Sequence, residues 1–132
     1  MEESVRYENL FLSIRSKKEA DELVLESADS QVMVSTHNPD GIYNDVSGNS
    51  EKVIGYKRKE LLGTSPYDYF HPDDFQKILK SHAKVTIRPE IDKVEYRVKQ
   101  KDESDKKVRS LSRQVKDPSG LEFILVITFS NE

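Results

Sequence analysis

At 132 residues the chain is long enough for one domain with a core of its own. Charged residues make up 34% and hydrophobic residues 35%, and the net charge of −3 comes from interspersed signs, which argues against nucleic acid as a partner. Cysteine is absent, which excludes disulfides, thiolate nucleophiles, cysteine zinc sites and thioether-linked cofactors.

The first thirty residues read as two helices. Tyr7, Phe11 and Ile14 share one face at helical spacing. Ser16-Lys17-Lys18-Glu19 has the form of a capping box, restarting a helix with Ala20, Leu23 and Val24 on its buried side. Two roles fit this extension, residues 1–27: a cover for the domain in 28–132, or a dimerisation element whose interface is Tyr7, Phe11, Ile14, Leu23 and Val24. The acidic start, Met1-Glu2-Glu3, is unlike a secretory signal, and a cytoplasmic setting is expected.

From Gln31 the period changes to two, with Val32 and Val34 alternating with polar positions. Asn38-Pro39-Asp40-Gly41 is a turn with Pro and Gly where a type I turn prefers them, and Ile42 to Val46 completes a hairpin. A helix near Glu51 to Ile54 follows, then one at Lys57 to Leu62 with Gly63 past its end. Ser65 before Pro66, and His71 before Pro72, are each a cap followed by a residue pre-set for a first helical turn. Asp73 and Asp74 then sit where a helix's positive end favours anions. Stops and restarts at this density build a compact wall. From Pro72 to about Val85 runs a longer helix with Phe75, Ile78, Leu79 and His82 on one stripe, closed by Arg88-Pro89-Glu90.

Val94, Tyr96 and Val98 alternate with Glu95, Arg97 and Lys99, as in a half-buried antiparallel strand. Lys107 to Lys116 alternates poorly, and a bulge or register shift is the expected cause. Asp117-Pro118-Ser119-Gly120 repeats the earlier turn design and launches Glu122 to Phe129, apolar on both faces and so expected in the middle of a sheet. Its longest apolar run, Phe123 to Ile127, is far too short to span a bilayer. Helices, two strands, helices and three strands, with no βαβ alternation, make an α+β fold with an antiparallel sheet.

These segments resemble the PAS domain family over about Leu23 to Ile127. The first strand and turn are carried by Val34-Ser35-Thr36-His37-Asn38-Pro39-Asp40-Gly41. The middle helices are carried by Ile54-Gly55-Tyr56, Glu60-Leu61-Leu62-Gly63 and Tyr67-Asp68-Tyr69-Phe70-His71-Pro72-Asp73-Asp74. Val94-Glu95-Tyr96-Arg97-Val98 and Lys101-Asp102 carry the third strand and its turn. The flavour is that of PAS sensor domains of bacterial histidine kinases, and the run also resembles PAS repeats of eukaryotic transcription regulators. The resemblance implies a five-stranded antiparallel sheet in the order 2-1-5-4-3, with short helices over one face and the N-terminal helices as an extension. It also implies a sensory or protein-interaction module that acts by ligand or partner binding and dimerisation, as a homodimer or with another PAS or effector domain. No kinase phospho-acceptor box or ATP lid is present, so the domain is not expected to catalyse a reaction.

A cavity between helices and sheet would be lined by Val34, Ile42, Ile54, Leu62, Tyr69, Phe70, Ile78 and Leu79, and closed by Tyr96, Leu125 and Ile127. Interdigitation of these side chains without a void is the competing and expected reading. If a polar ligand binds, the hydroxyl of Tyr69 or Tyr96 would fix it. The resemblance offers His82 as a haem ligand; a half-buried ring bonded through one nitrogen explains it as well, and no cofactor is expected. His71, Asp73 and Asp74 begin a helix and do not converge as metal ligands do. Three departures from the family stand out, the first being that the aromatic residue common on the fourth strand is replaced around Val108-Arg109, which would shrink a cavity wall there. Lys101-Asp102-Glu103-Ser104-Asp105 replaces a shorter turn with glycine, so a looser hairpin is expected. Phe129-Ser130-Asn131 stands where many sensor kinases have Asp-Ile-Thr, so either the chain is a piece of a longer protein or its signal is expected to leave through the N-terminal helices or an exposed sheet face.

Overall fold

Two turns of the same design fold the chain back on itself: Gly41 N–H reaches Asn38 O and Gly120 N–H reaches Asp117 O, each at 2.8 Å. Both glycines take positive φ, 89° and 95°, which a side chain would strain. The computed structural model describes residues 2–29, 31–87 and 91–130; Arg88-Pro89-Glu90 and Asn131-Glu132 lie outside them. The first turn joins β1 (Val32–His37) to β2 (Tyr43–Val46). The second joins β4 (Asp105–Lys116) to β5 (Glu122–Ser130), and β3 (Asp92–Lys99) pairs with β4. The sheet is antiparallel in the order β2-β1-β5-β4-β3, with β5 in the centre as its double-sided apolar character requires.

The bulge expected in β4 is absent. Its register runs unbroken from Asp92↔Ser112 to Lys99↔Asp105 on one side and from Val108↔Ser130 to Lys116↔Glu122 on the other. The pattern looked irregular because Ser110 and Ser112 occupy covered positions on one face while Leu111 and Val115 fill the other. The shift in register lies between β1 and β2 instead, at Thr36/His37. Nor is the β3–β4 loop loose. Gln100 N–H bonds Ser104 O at 2.7 Å, Asp102 Oδ1 accepts from Ser104 N–H at 3.0 Å, and Glu103 takes a positive φ of 74° in place of glycine.

On the outer face lie α1 (Glu2–Ser13) and α2 (Lys17–Glu26). Ser16 Oγ accepts from Glu19 N–H at 3.2 Å, while the Glu19 carboxylate accepts from Arg15 N–H at 3.0 Å, so the capping box reaches one residue further back than expected. Phe11, Ile14, Ala20 and Val24 pack with Val34, Leu111, Leu125 and Ile127 in one apolar cluster, against which Tyr7 and Leu23 are partly buried. Full burial of the Phe11 ring alone contributes about 2–3 kcal/mol. Arg113 of β4 donates to the carbonyls of Phe11 (2.7 Å) and Ile14 (2.9 Å), satisfying acceptors that the end of α1 leaves open. The residues expected to form a dimer interface are therefore engaged within the chain. A second copy meets Phe11, Ile14 or Val24 only after the helices leave the sheet.

Over the inner face lie α3 (Ser50–Ile54), α4 (Arg58–Leu61), 3-10 turns at Pro66–Asp68 and Pro72–Asp74, and α5 (Phe75–Ile87). The expected caps form: Ser65 Oγ accepts from Tyr67 N–H at 3.2 Å, and His71 Nδ1 accepts from Asp73 N–H at 3.1 Å. Asp74 does more than favour a helix start. Its carboxylate accepts from Arg97 Nη2 (2.9 Å), Nε (3.1 Å) and backbone N–H (2.8 Å), pinning the helical cover to β3.

Candidate functional site

The inner face has two halves. In one, Met33, Val46, Val53, Leu61, Val98 and Val108 form an apolar cluster that also holds Ile54, with Leu62 and Tyr69 packed against it. In the other lies a cavity of about 80 Å³. Its floor is the sheet: Ser35 and His37 of β1, Ile124, Val126 and Thr128 of β5, Ser110 and Ser112 of β4, and Val94 and Tyr96 of β3. Its walls are Gly41, Tyr43, Pro66, Tyr67, Phe70, Ile78, Ser81 and His82.

Of the residues expected to line a cavity, Phe70, Ile78, His82 and Tyr96 do so. Ile54, Leu62 and Tyr69 belong to the adjoining apolar cluster. Val34, Leu125 and Ile127 face the other way, into the cluster under α1 and α2. Side chains alternate along a strand, so an error of one residue moves the whole set to the opposite face, and strands covered on both sides give no apolar cue to choose. Ile42 is half-buried and does not line the space, and Leu79 is 48% exposed on α5. Among the described side chains of α5 the buried ones are Ile78 and Ser81, three residues apart, and Leu79 falls beside them.

The polar wall is largely satisfied from within. His37 is buried, with Nδ1 2.9 Å from Gly41 O and Nε2 2.8 Å from Ser35 Oγ. A carbonyl only accepts, so Nδ1 carries the proton and Ser35 donates its hydroxyl to Nε2. Burial lowers the His37 pKa to about 4, leaving the ring neutral at pH 7. The Tyr96 hydroxyl lies 2.6 Å from Ser110 Oγ, which lies 3.0 Å from Thr128 Oγ1, a hydroxyl chain across three strands. Burial raises the pKa of Tyr43, Tyr67 and Tyr96, so their phenols stay protonated. Ser81 donates to the Asp92 carboxylate.

Two buried side-chain polar atoms among the described residues have no hydrogen-bond partner: Thr36 Oγ1, and the hydroxyl of Tyr67, which lines the cavity. Tyr69, expected to hold a polar ligand, spends its hydroxyl on Thr64 Oγ1 (2.9 Å) and Glu60 O (3.2 Å). In the cavity, the Tyr67 hydroxyl is the fully buried side-chain polar atom without a partner among the described residues.

Chemically this wall offers hydrogen bonds and no activated nucleophile. Ser35 and His37 have the contact of a nucleophile and its base, yet an imidazole with a pKa of about 4, oriented by a carbonyl, does not draw off a serine proton at neutral pH. Among the described residues no three His, Asp or Glu side chains group to hold a metal ion, and no helix is long and apolar enough to cross a membrane. The space is also well below the roughly 300–1,000 Å³ of a drug-sized site, so a haem at His82 would require the walls to move. Sequence reasoning missed Ser35, His37, Tyr67, Ser110, Ser112 and Thr128. The available signal was polar residues at period two on strands that must be covered on both faces.

The profile of the family described as PAS fold matches residues 43–128. The chain belongs to the PAS family. This PAS domain is 33% identical over 97 residues to Protein cycle of Drosophila melanogaster, an alignment covering 71% of this chain and 24% of that protein. To basic helix-loop-helix ARNT-like protein 1 of Homo sapiens it is 38% identical over 82 residues, 61% of this chain and 13% of that protein. The chain thus spans about a quarter or less of the curated relatives it matches. Among solved structures, Cycle PAS-B with bound ethylene glycol superposes with a TM-score of 0.68 at 31% identity, covering 74% of this chain and 98% of that one. A variant of Cycle PAS-B with bound glycerol superposes equally well. A sensory box histidine kinase/response regulator from Burkholderia thailandensis, at 20% identity and a TM-score of 0.60 over 76% of each chain, shares the fold alone. Family membership supports a general sensory or interaction role, regulatory and not catalytic.

Proposed function

We propose that this PAS domain is a sensory and interaction module of signal transduction that holds a small molecule in its inner cavity and engages a partner, a second copy or another PAS domain, through the outer face and its helical cover. The observation that carries the reading is the cavity of about 80 Å³, ringed by hydroxyls and a neutral imidazole, on a sheet whose other face is closed by apolar packing. A cavity with that lining holds water or a ligand, unlike an apolar void, which stays dry. The ethylene glycol and glycerol bound to Cycle PAS-B support a small occupant.

The two faces share a backbone. Ser110 and Thr128 line the cavity, while their chain neighbours Leu111 and Ile127 lie under the cover. A ligand that displaces the first pair displaces the second, and so biases how α1 and α2 sit. The cover, residues 1–27, is then the output element. A histidine-kinase effector has fold likeness alone behind it.

Native mass spectrometry of the purified chain tests the ligand half, with an adduct of small-molecule size as the expected result. A bare chain, together with no thermal shift across a metabolite panel, reduces the domain to a ligand-free scaffold for partner docking. For the partner half, removing residues 1–16 uncovers the apolar outer face and should produce concentration-dependent association in sedimentation. A truncated chain that stays monomeric at every concentration sinks that half.

A further inference from the structure

We infer that the cavity selects neutral over cationic molecules and favours those carrying both a hydrogen-bond donor and an acceptor, with the Tyr67 hydroxyl as the anchoring donor and Ser35 Oγ as the receiving acceptor. The inference rests on the ligand reading above and adds the class of ligand. Among the described residues no Asp, Glu, Lys or Arg lines the space, and Asp92, which takes the Ser81 hydroxyl, stands outside the lining. A cation entering would shed its water and meet no opposite charge among the described residues. His37 adds no charge, being neutral by burial with both ring nitrogens engaged, and the one other titratable base in the described lining is His82, which offers no negative charge to a cation.

The polarity of the wall follows from one fixed proton. Gly41 O forces the His37 proton onto Nδ1, so Nε2 takes the Ser35 proton, and Ser35 Oγ is left with lone pairs to accept. Tyr67 is the reverse case: a phenol held protonated by burial, whose oxygen is buried without a partner among the described residues. A buried donor left unpaired is destabilising, so a molecule that supplies an acceptor there relieves the deficit. One that donates to Ser35 as well satisfies both. A purely apolar occupant satisfies neither. The volume of about 80 Å³ is roughly half that of a cavity that accepts benzene, which limits the occupant to roughly three to five non-hydrogen atoms.

Proton–nitrogen correlation NMR of the full chain tests this with three probes of matched size: propylene glycol, its protonated amine analogue isopropanolamine at pH 7, and the hydrocarbon isopentane. Propylene glycol should give saturable shifts at the amides of Ser35, Ser110 and Thr128, with an affinity about tenfold or more above either analogue. Tyr67→Phe should weaken it roughly three- to tenfold. Tyr56→Phe, whose hydroxyl donates to Lys99 O, should leave it unchanged. Equal saturation by the amine or the hydrocarbon, or undiminished binding in Tyr67→Phe, overturns the selection rule and leaves a ligand site standing. No saturable shift with any probe overturns the rule as well. If native mass spectrometry then also finds a bare chain, the cavity holds water only and the ligand reading falls with it.

Discussion

On the outer face of the sheet, Val34, Leu111, Leu125 and Ile127 meet Phe11, Ile14 and Val24 in a cluster of apolar side chains. The same strands turn Ser35, Ser110, Ser112 and Thr128 to the inner face, where the helical cover leaves a cavity over them. The outer face is held by area removed from water, which is non-directional and tolerates no gap. The inner face is held at its apolar end by packing, and elsewhere by directed contacts such as Asp74 with Arg97 and Tyr96 with Ser110. A surface of the first kind makes a rigid base; the second kind leaves room for an occupant.

The largest effect should come from emptying the outer cluster. Phe11→Ala removes a fully buried ring and should cost about 3–5 kcal/mol in urea unfolding. A loss below about 1 kcal/mol would show α1 to be loosely held. Next is the directed contact: Asp74→Asn should cost about 2 kcal/mol at pH 7, since it leaves Arg97 underbonded. Hydrogen bonds from Arg97 hold the Asp74 carboxyl below its usual range. A depressed folded-state pKa means this contribution is whole above the unfolded value of about 3.9 and is lost as pH falls through the lowered value. The gap between wild type and variant should therefore narrow as pH falls below the unfolded value of about 3.9 in stepwise urea titrations; a constant gap would exclude an ionised Asp74 as its source.

Neighbouring residues on β4 should respond to added bulk with opposite signs. Leu111→Phe overfills the outer cluster and should destabilise by about 1–3 kcal/mol. Ser112→Val fills part of the cavity and should stabilise by up to about 1 kcal/mol while reducing the volume open to a ligand. Equal signs in thermal unfolding would mean the cavity is closed in solution. Smallest is Thr36→Val, which removes a buried hydroxyl without a hydrogen-bond partner at nearly constant volume and should raise stability by about 1 kcal/mol or less.

Much of the fold was legible because its signals are local. Gly55 and Gly63 both take positive φ, 84° and 80°, where helices stop. Ser65 and His71 cap the turns that Pro66 and Pro72 begin, and Phe123 to Phe129 could only be central. The candidate site was far less legible. Phe70, Ile78 and Tyr96 were found because each carries a strong apolar or aromatic cue, and His82 because the resemblance offered a ligand histidine on its helix. Ser35, Ser110 and Thr128 were missed because a serine on a strand normally reads as facing solvent.

By itself, then, the order of amino acids determined the elements, their turns and the antiparallel character of the sheet, since backbone conformation and burial pattern are set within a few residues, while the strand order followed from the resemblance to the family. Only the tertiary structure decided which face each alternate residue of β1, β4 and β5 serves, that Asp74 reaches Arg97, and that Tyr67 is left without a partner. Those outcomes depend on which helices close over which face and where a distant donor finds its acceptor, information carried by pairing and packing between segments far apart in the chain.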